Sequence, residues 1–365
     1  MMKICIICSG FSSIYGGVET AIFTLSELWT KSGHEVCIIS GLGKKTGPKG
    51  VRLLKLPFIP RKYFSKIPLS TRIFSDHELE GFSFLPSALL GLIQIKPDIV
   101  LANQIGEILP ALFLQIPNVM IIQAPIKMRF STFKLASRVV AETPAACEIF
   151  RKCGIETDLI LHGIYASRPS ESNAMELRKK HGISENSIII LTVARLEPNK
   201  RINLLIDAFK LIKQDATLII VGEGSQLAEL RKQAYSTKLE NKIIFIKSMP
   251  LNQLVEFYHL CDVFTLPSKI EGLPLVVIDA LSFGKTVVTN PAPEKKFILS
   301  KFGVYTNVND PVEYSSALIR AASMKIDVDS REYILHMQKF DWTEIALQYE
   351  KIFNDVLKKY HEAKK

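Results

Sequence analysis

The chain has 365 residues, 47% of them hydrophobic and 22% charged, with a formal net charge of +10. That length suits about two domains, and the balance excludes a disordered chain and a small disulfide-stapled scaffold. The longest apolar stretch, Phe82 to Ile95, is broken by Pro86 and falls short of the roughly 18 residues a transmembrane helix needs, so a soluble protein is expected.

The first residues carry one Lys and a short apolar run before Ser9-Gly10. Without a small-x-small cleavage pattern they read as a buried strand, Lys3–Ser9, and not as a signal peptide. Cys5 and Cys8 fall inside that strand, where side chains three apart point to opposite faces. They are expected as core thiols and not as a metal pair, which implies a reducing, cytoplasmic compartment. Helical spacing follows from Val18 to Ser32 through Ile22, Leu25, Leu28 and Trp29, stopped by Ser32-Gly33. Strands are predicted at Glu35–Ser40, Ile99–Ala102, Val119–Gln123, Val139–Ala141 and Leu159–Leu161. Short buried strands alternating with helices indicate parallel βαβ units.

Between Val36 and Ser75 there are nine basic residues and no acidic one. Arg61, Lys62 and Lys66 stand there among Phe58, Tyr63, Phe64 and Phe74, with Pro57, Pro60 and Pro68 preventing one long helix. This composition suits an anionic membrane surface or a phosphorylated ligand. It equally suits a solvated loop of a basic protein. No nucleic-acid-binding motif accompanies the charge, so nucleic acid is not an expected partner.

A polar stretch from Tyr165 to Asn186 reads as a connection with one short helix at Ala174–Lys180. The alternation then restarts, with strands at Ser187–Val193, Ala216–Val221, Lys242–Ile246, Val263–Leu266 and Thr286–Thr289. Helices are predicted at Ile202–Ile212, Ser225–Ala234, Leu251–Leu260 and Pro274–Phe283. The domains are thus expected at 1–165 and 187–344, with 166–186 as linker. Both are doubly wound Rossmann-like sheets, and two such sheets place a crevice at the carboxyl ends of their strands, where ligands bind.

Three motifs carry chemistry. Gly16-Gly17, opening the first helix, lets backbone approach a ligand near free N–H groups, although paired glycines also simply make turns. Arg195 and Lys200 flank Pro198-Asn199 at the end of a strand. They can neutralise a diphosphate, or they are two surface cations. Glu271-Gly272-Leu273-Pro274-Leu275 leads from a strand into a helix containing Asp279. Gly272 permits a tight turn and Pro274 suits the first helical position. The N–H groups from Leu273 onward are expected to be open to an anion. Glu271 and Asp279 can accept from different hydroxyls of one ligand, while Glu271 alone can also serve helix-terminal charge.

These residues resemble the retaining, GT-B-fold glycosyltransferases of family 4, also called glycosyl transferases group 1. The likeness runs from Gly16-Gly17 through Ser32-Gly33-His34-Glu35-Val36 and Val221-Gly222-Glu223-Gly224 to the Trp342 region. Its most specific part is Glu271 and Asp279, with seven residues between them, together with Arg195 and Lys200. The resemblance implies two domains facing across a deep crevice and transfer of a sugar from a UDP- or GDP-linked donor to a hydroxyl, with retention. Arg195 and Lys200 would bind the diphosphate, Glu271 would face the transferred sugar, and Asp279 would hold the ribose. Gly16-Gly17 would approach the diphosphate, and backbone near Met249 would meet the base. A last helix, from about residue 345 to 365, would pack back on the first domain. The sequence departs from the family at Asp279, usually Glu, at Gln123-Ala124-Pro125, where a His is common, and at Lys247, where a Gly is common.

No Asp-x-Asp cluster is present, so no metal or other cofactor is expected beyond the nucleotide-sugar as co-substrate. The acceptor is expected to be a lipid-linked or other glycan at the cytoplasmic membrane face. Other readings of the same architecture are a nucleotide-sugar 2-epimerase, a phosphorylase and a non-catalytic sugar-nucleotide or membrane-binding relative.

Overall fold

Lys3–Cys8 (β1) is apolar on both faces, as a strand in the middle of a parallel sheet must be. A computed structural model describes residues 1–13, 17–64, 76–122, 130–164, 173–237, 239, 242–249 and 251–365. The chain divides into two units, Met1–Gly163 with Lys339–Lys365, and Ile164–Gln338.

In the first unit β1 is followed by α1 (Gly17–Lys31), β2 (Glu35–Gly41) and β3 (Arg52–Leu56). Then come α2 (Arg61–Phe64), α3 (Asp76–Ile95), β4 (Ile99–Ala102), α4 (Ile105–Phe113) and β5 (Asn118–Ile122). β6 (Arg138–Ala141), α5 (Pro144–Lys152) and β7 (Thr157–Leu159) complete the series. Among the described residues the strands form one parallel sheet in the order β3-β2-β1-β4-β5-β6-β7. One face packs on α1 and on the C-terminal helix Trp342–Ala363. Trp29 lies edge-on to Tyr349 and Phe353 and donates its indole N–H to the Ala346 carbonyl at 3.2 Å. The other face packs on α3, α4 and α5.

Cys5 and Cys8 lie in these two different cores, one on each side of β1. Burial pushes both thiols well above the ordinary cysteine range, as befits packing groups. Two sequence expectations need correction here. The basic stretch includes the edge strand β3, because Leu53, Leu54 and Leu56 pack on the two cores while Arg52 stays exposed. The strand expected at Leu159–Leu161 instead begins at Thr157, where β7 pairs with β6. The apolar stretch containing Pro86 belongs to α3, whose Phe84, Ala88, Leu92 and Ile95 recur at helical spacing and are buried. Among the described residues no helix is long and apolar enough to cross a membrane.

The second unit opens with α6 (Asn173–Lys180), β8 (Ile188–Val193), α7 (Ile202–Phe209), β9 (Ala216–Val221) and α8 (Leu227–Ser236). It continues with β10 (Ile243–Ile246), α9 (Leu251–Leu260), β11 (Val263–Leu266) and α10 (Leu275–Ser282). It closes with β12 (Thr286–Thr289), α11 (Pro293–Leu299), β13 (Gly303–Tyr305), α12 (Pro311–Ala322) and α13 (Arg331–Met337). Its parallel sheet runs β10-β9-β8-β11-β12-β13. In the stretch read as a connection, α6 packs against α9, and Leu177 and Ile183 are buried. Residues 173–186 are therefore built into this unit.

Strand order reverses direction at β1/β4 in one sheet and at β8/β11 in the other. At such a switch point the two crossovers leave to opposite faces, and the loops beyond the strand ends bound a recess.

Candidate functional site

At the second unit's switch point the loop after β8 and the loop after β11 are tied together. The Lys269 N–H donates to the Asn199 carbonyl at 2.9 Å, and the Arg201 Nε donates to the Pro267 carbonyl at 2.8 Å. Arg201 itself sits at φ 53°, a left-handed conformation that ends the turn Pro198–Lys200 and starts α7. Across this junction the Lys200 Nζ donates to both oxygens of Glu271, at 2.6 and 2.7 Å. Both side chains are mostly buried, 13% and 11% exposed. The two cations of the loop therefore differ, because Lys200 is committed to Glu271 while Arg195 is exposed.

The glycines of Val221-Gly222-Glu223-Gly224 explain how the loop after β8 is held. A Cβ at Gly222 would lie 1.9 Å from the Ala194 carbonyl oxygen, and one at Gly224 would lie 2.4 Å from that of Leu196. The Leu196 N–H donates to the Glu223 carbonyl at 2.8 Å. Glu197 accepts from the Ser225 hydroxyl and N–H, which hold its carboxyl below the usual range, with a smaller contribution from Arg195. Ser248 donates to the Glu223 carboxylate at 2.6 Å, so the segment ending in half-buried Met249 lies against the same loop.

Pro274 is not the first helical residue, as the sequence suggested, but the residue before it, and its side chain makes no capping bond. α10 begins at Leu275. Among the described residues no backbone hydrogen bond uses the N–H groups of Gly272, Leu273, Leu275 or Val276. This leaves an uncapped helix start whose donors and dipole favour an anion. Four residues into the helix, Asp279 is half-buried; its carbonyl accepts from the Ser282 hydroxyl, and among the described residues its carboxylate makes no hydrogen bond or ion pair. Burial raises its carboxyl to about 7.

Sequence reasoning missed Lys295. It is fully buried on α11 and donates to the Leu266 carbonyl at 3.2 Å, the Ser268 carbonyl at 2.8 Å and Asn290 Oδ1 at 2.7 Å. The available signal was its spacing, three and four residues before buried Ile298 and Leu299, which sets a lysine on the apolar face of its helix.

In the first unit Gly17 opens α1, and its carbonyl lies 3.0 Å from His162 Nε2. The His162 ring meets Trp342 edge-on, and a Cβ at Gly163 would lie 2.2 Å from that indole. Lys62 is exposed beside Tyr63, with Nζ 5.2 Å from the ring centre. Gly16, Lys66, Gln123 and the Arg61 side chain lie outside the described residues. Among the described residues no three His, Cys, Asp or Glu side chains group as a metal site requires.

Sequence reasoning also missed the counterpart of this site in the first unit, at the end of β1. There the Ser9 N–H and hydroxyl donate to Glu107 Oε1 at 2.7 and 2.8 Å, and the hydroxyl also reaches Glu80. Both glutamates are buried. Burial, opposed by the Ser9 bonds, raises Glu107 to about 7.

Comparison with known proteins agrees with this architecture. Residues 173–332 match the family model described as glycosyl transferases group 1. The chain is 23% identical over 202 residues to the O-antigen biosynthesis glycosyltransferase WclY of Escherichia coli, covering 55% of this chain and 56% of that one. It is 29% identical over 164 residues to a GDP-mannose-dependent alpha-(1-6)-phosphatidylinositol monomannoside mannosyltransferase of Mycobacterium tuberculosis, covering 41% and 40%. The chain thus spans about half the length of the curated relatives it matches. Among solved structures, Anabaena Alr3699/HepE in complex with UDP-glucose superposes with a TM-score of 0.73 at 19% identity, covering 97% of this chain and all of that one. Residues 173–332 thus match the glycosyl transferases group 1 family model, and the chain has the GT-B fold of two Rossmann-like α/β domains.

Proposed function

We propose that the chain transfers a sugar from a UDP- or GDP-linked donor to a hydroxyl acceptor, with retention of anomeric configuration. The observation that carries this reading is the open amino end of α10 beside the Lys200–Glu271 pair at the β8/β11 switch point. As the glycosidic bond breaks, charge builds on the departing diphosphate. Free N–H groups at Gly272, Leu273, Leu275 and Val276, with Lys200 and the exposed Arg195, supply fixed donors and positive charge where that charge develops. The side chains present supply this neutralisation without a metal ion. Glu271, oriented by Lys200, faces the transferred sugar, and Asp279 receives the ribose hydroxyls. The departing phosphate takes the acceptor proton, so Glu271 positions the sugar and does not act as a base. Met249 completes the donor contacts, with Pro274 setting the turn into the helix.

The relatives support this reading by the donors in their names, GDP-mannose in one and UDP-glucose in a structural neighbour. The test is a thermal-shift panel of UDP, GDP and ADP on the chain and on its Arg195→Ala/Lys200→Ala variant. A nucleotide at 100 times its dissociation constant adds about 2.7 kcal/mol to the folded state. One nucleotide should shift the chain and leave the variant unmoved, and the absence of any shift would refute the donor site.

We assign the acceptor to the lipid-linked or other glycan class, reached at an anionic, cytoplasmic membrane face. Lys44, Lys49, Arg52 and Lys62 are exposed, and Leu42, Ile59 and Tyr63 stand among them at 58%, 50% and 54% exposure. Basic and apolar groups together suit an anionic lipid surface. Reversing charge at Arg61, Lys62 and Lys66 should weaken partitioning onto anionic vesicles, and unchanged partitioning would refute the assignment.

A further inference from the structure

The buried ammonium of Lys295 has three N–H donors and faces three acceptors. Leu266 is the last residue of β11, Ser268 lies two residues further along the same loop, and Asn290 directly follows β12. One side chain on α11 therefore joins the ends of two strands and fixes the first half of the loop that delivers Glu271 and the open start of α10. Lys295 has no solvent exposure, so it does not itself touch a ligand.

Its electrostatic setting involves the same loop. Glu271, in the loop before α10, and Glu294, on its own helix, favour the charged form. Arg201 at the start of α7 and Lys200 in the turn after β8 oppose it. Burial outweighs all of these and pushes the ammonium down to about 8. Above that pH the neutral amine has only two N–H donors and a lone pair, so one of the three acceptors loses its partner. That acceptor is buried or part-buried, where an unpaired group costs free energy.

We propose that Lys295 is a positioning residue of the nucleotide site, whose protonated form holds the Glu271 loop in the arrangement that receives a nucleoside diphosphate. This rests on the donor-site reading above and adds a residue and a regulating proton to it. Where only the ammonium form is competent, the apparent dissociation constant grows as the inverse of the protonated fraction.

The test is calorimetric titration of the full chain with UDP, and separately with GDP, between about pH 7 and pH 9. From the fraction of ammonium left, affinity should fall about tenfold across that range. Asn290→Asp keeps the accepting oxygen and places a carboxylate against the ammonium, which raises its pKa. In that variant the alkaline loss should move to higher pH. Lys295→Met should bind about tenfold more weakly at neutral pH and show no alkaline loss there. A merely structural lysine would not tie nucleotide affinity to the residue at 290. An identical pH profile in the wild type and Asn290→Asp would overturn the inference while leaving the nucleotide site intact. Absence of UDP and GDP binding at neutral pH would overturn the site reading and this inference together.

Discussion

The two switch points are built alike in backbone and oppositely in charge. At the end of β8 and β11 a carboxylate, Glu271, is held by Lys200 while Arg201 and Lys295 stand close by, so cations outnumber it. At the end of β1, Glu107 and Glu80 share the Ser9 hydroxyl. Among the described residues, Glu107 Oε2 and the nearby Asn103 and Gln104 amide oxygens have no hydrogen-bond partner. The sheet supplies a recess at its carboxyl end in both cases. Which ion that recess favours is decided by a few side chains. In one, Glu271 is surrounded by cations; in the other, burial raises the Glu107 carboxyl to about 7.

Removing the cation at the first switch point should have the largest effect. Lys200→Ala leaves Glu271 without its partner, and breaking such a pair costs about 3–5 kcal/mol when it is well buried, somewhat less at this partial exposure. UDP or GDP affinity should fall by roughly a hundredfold. Calorimetry and thermal unfolding check both, and Lys200→Met/Glu271→Leu should recover stability without recovering binding. Unchanged affinity in Lys200→Ala would mean that the two recesses do not differ in the way their charges indicate.

A backbone test comes next. Gly222→Ala would place its Cβ 1.9 Å from the Ala194 carbonyl oxygen, and the obstacle is backbone. About 2–3 kcal/mol of stability should be lost, with nucleotide affinity lost alongside because the Arg195 loop must move. Chemical denaturation measures the first quantity. Full stability would show that this loop yields more easily than its packing implies.

The second switch point should respond in the opposite sense. Burial raises Glu107 from 4.5 to about 7, so the folded state holds a proton that the unfolded chain releases. Its stabilising share is complete below about pH 4.5 and is lost as pH rises through about 7. Glu107→Gln removes the ionisation and keeps an accepting oxygen for Ser9. It should stabilise the chain by about 1–3 kcal/mol above neutrality and leave acid stability unchanged. Urea denaturation at both pH values checks this, and equal effects at the two would refute it.

Much of this architecture was legible because periodicity is a local property. Short, largely apolar and β-branched runs such as Ile188–Val193 and Ala216–Val221 suit strands buried on both faces. Gly272 announced a tight turn through its backbone freedom, and Pro274 the start of a helix through its fixed φ. The edge strand β3 escaped notice because Arg52 and Lys55 break the apolar run. Its leucines face both cores, and Lys55 turns back to donate to the Gly43 carbonyl. The start of α10 was misplaced by one residue because Pro274 occupies the position before the helix, where its fixed φ fits equally well.

The sequence by itself determined the residue types at the site, since Arg195, Lys200 and Glu271 stand in loops after strands, and Asp279 in the helix that follows, all of which the alternation alone locates. Only the tertiary structure decided how those charges are used. Lys200 and Glu271 are 71 residues apart, and Lys295 is separated from Leu266 and Ser268 by 29 and 27. Pairing over such distances is set by which strands become neighbours, a non-local outcome of packing apolar faces, and no local pattern encodes it. Burial is decided in the same way. An isolated lysine or glutamate titrates at its ordinary value, and Lys295, Asp279 and Glu107 depart from it because the fold removes their water.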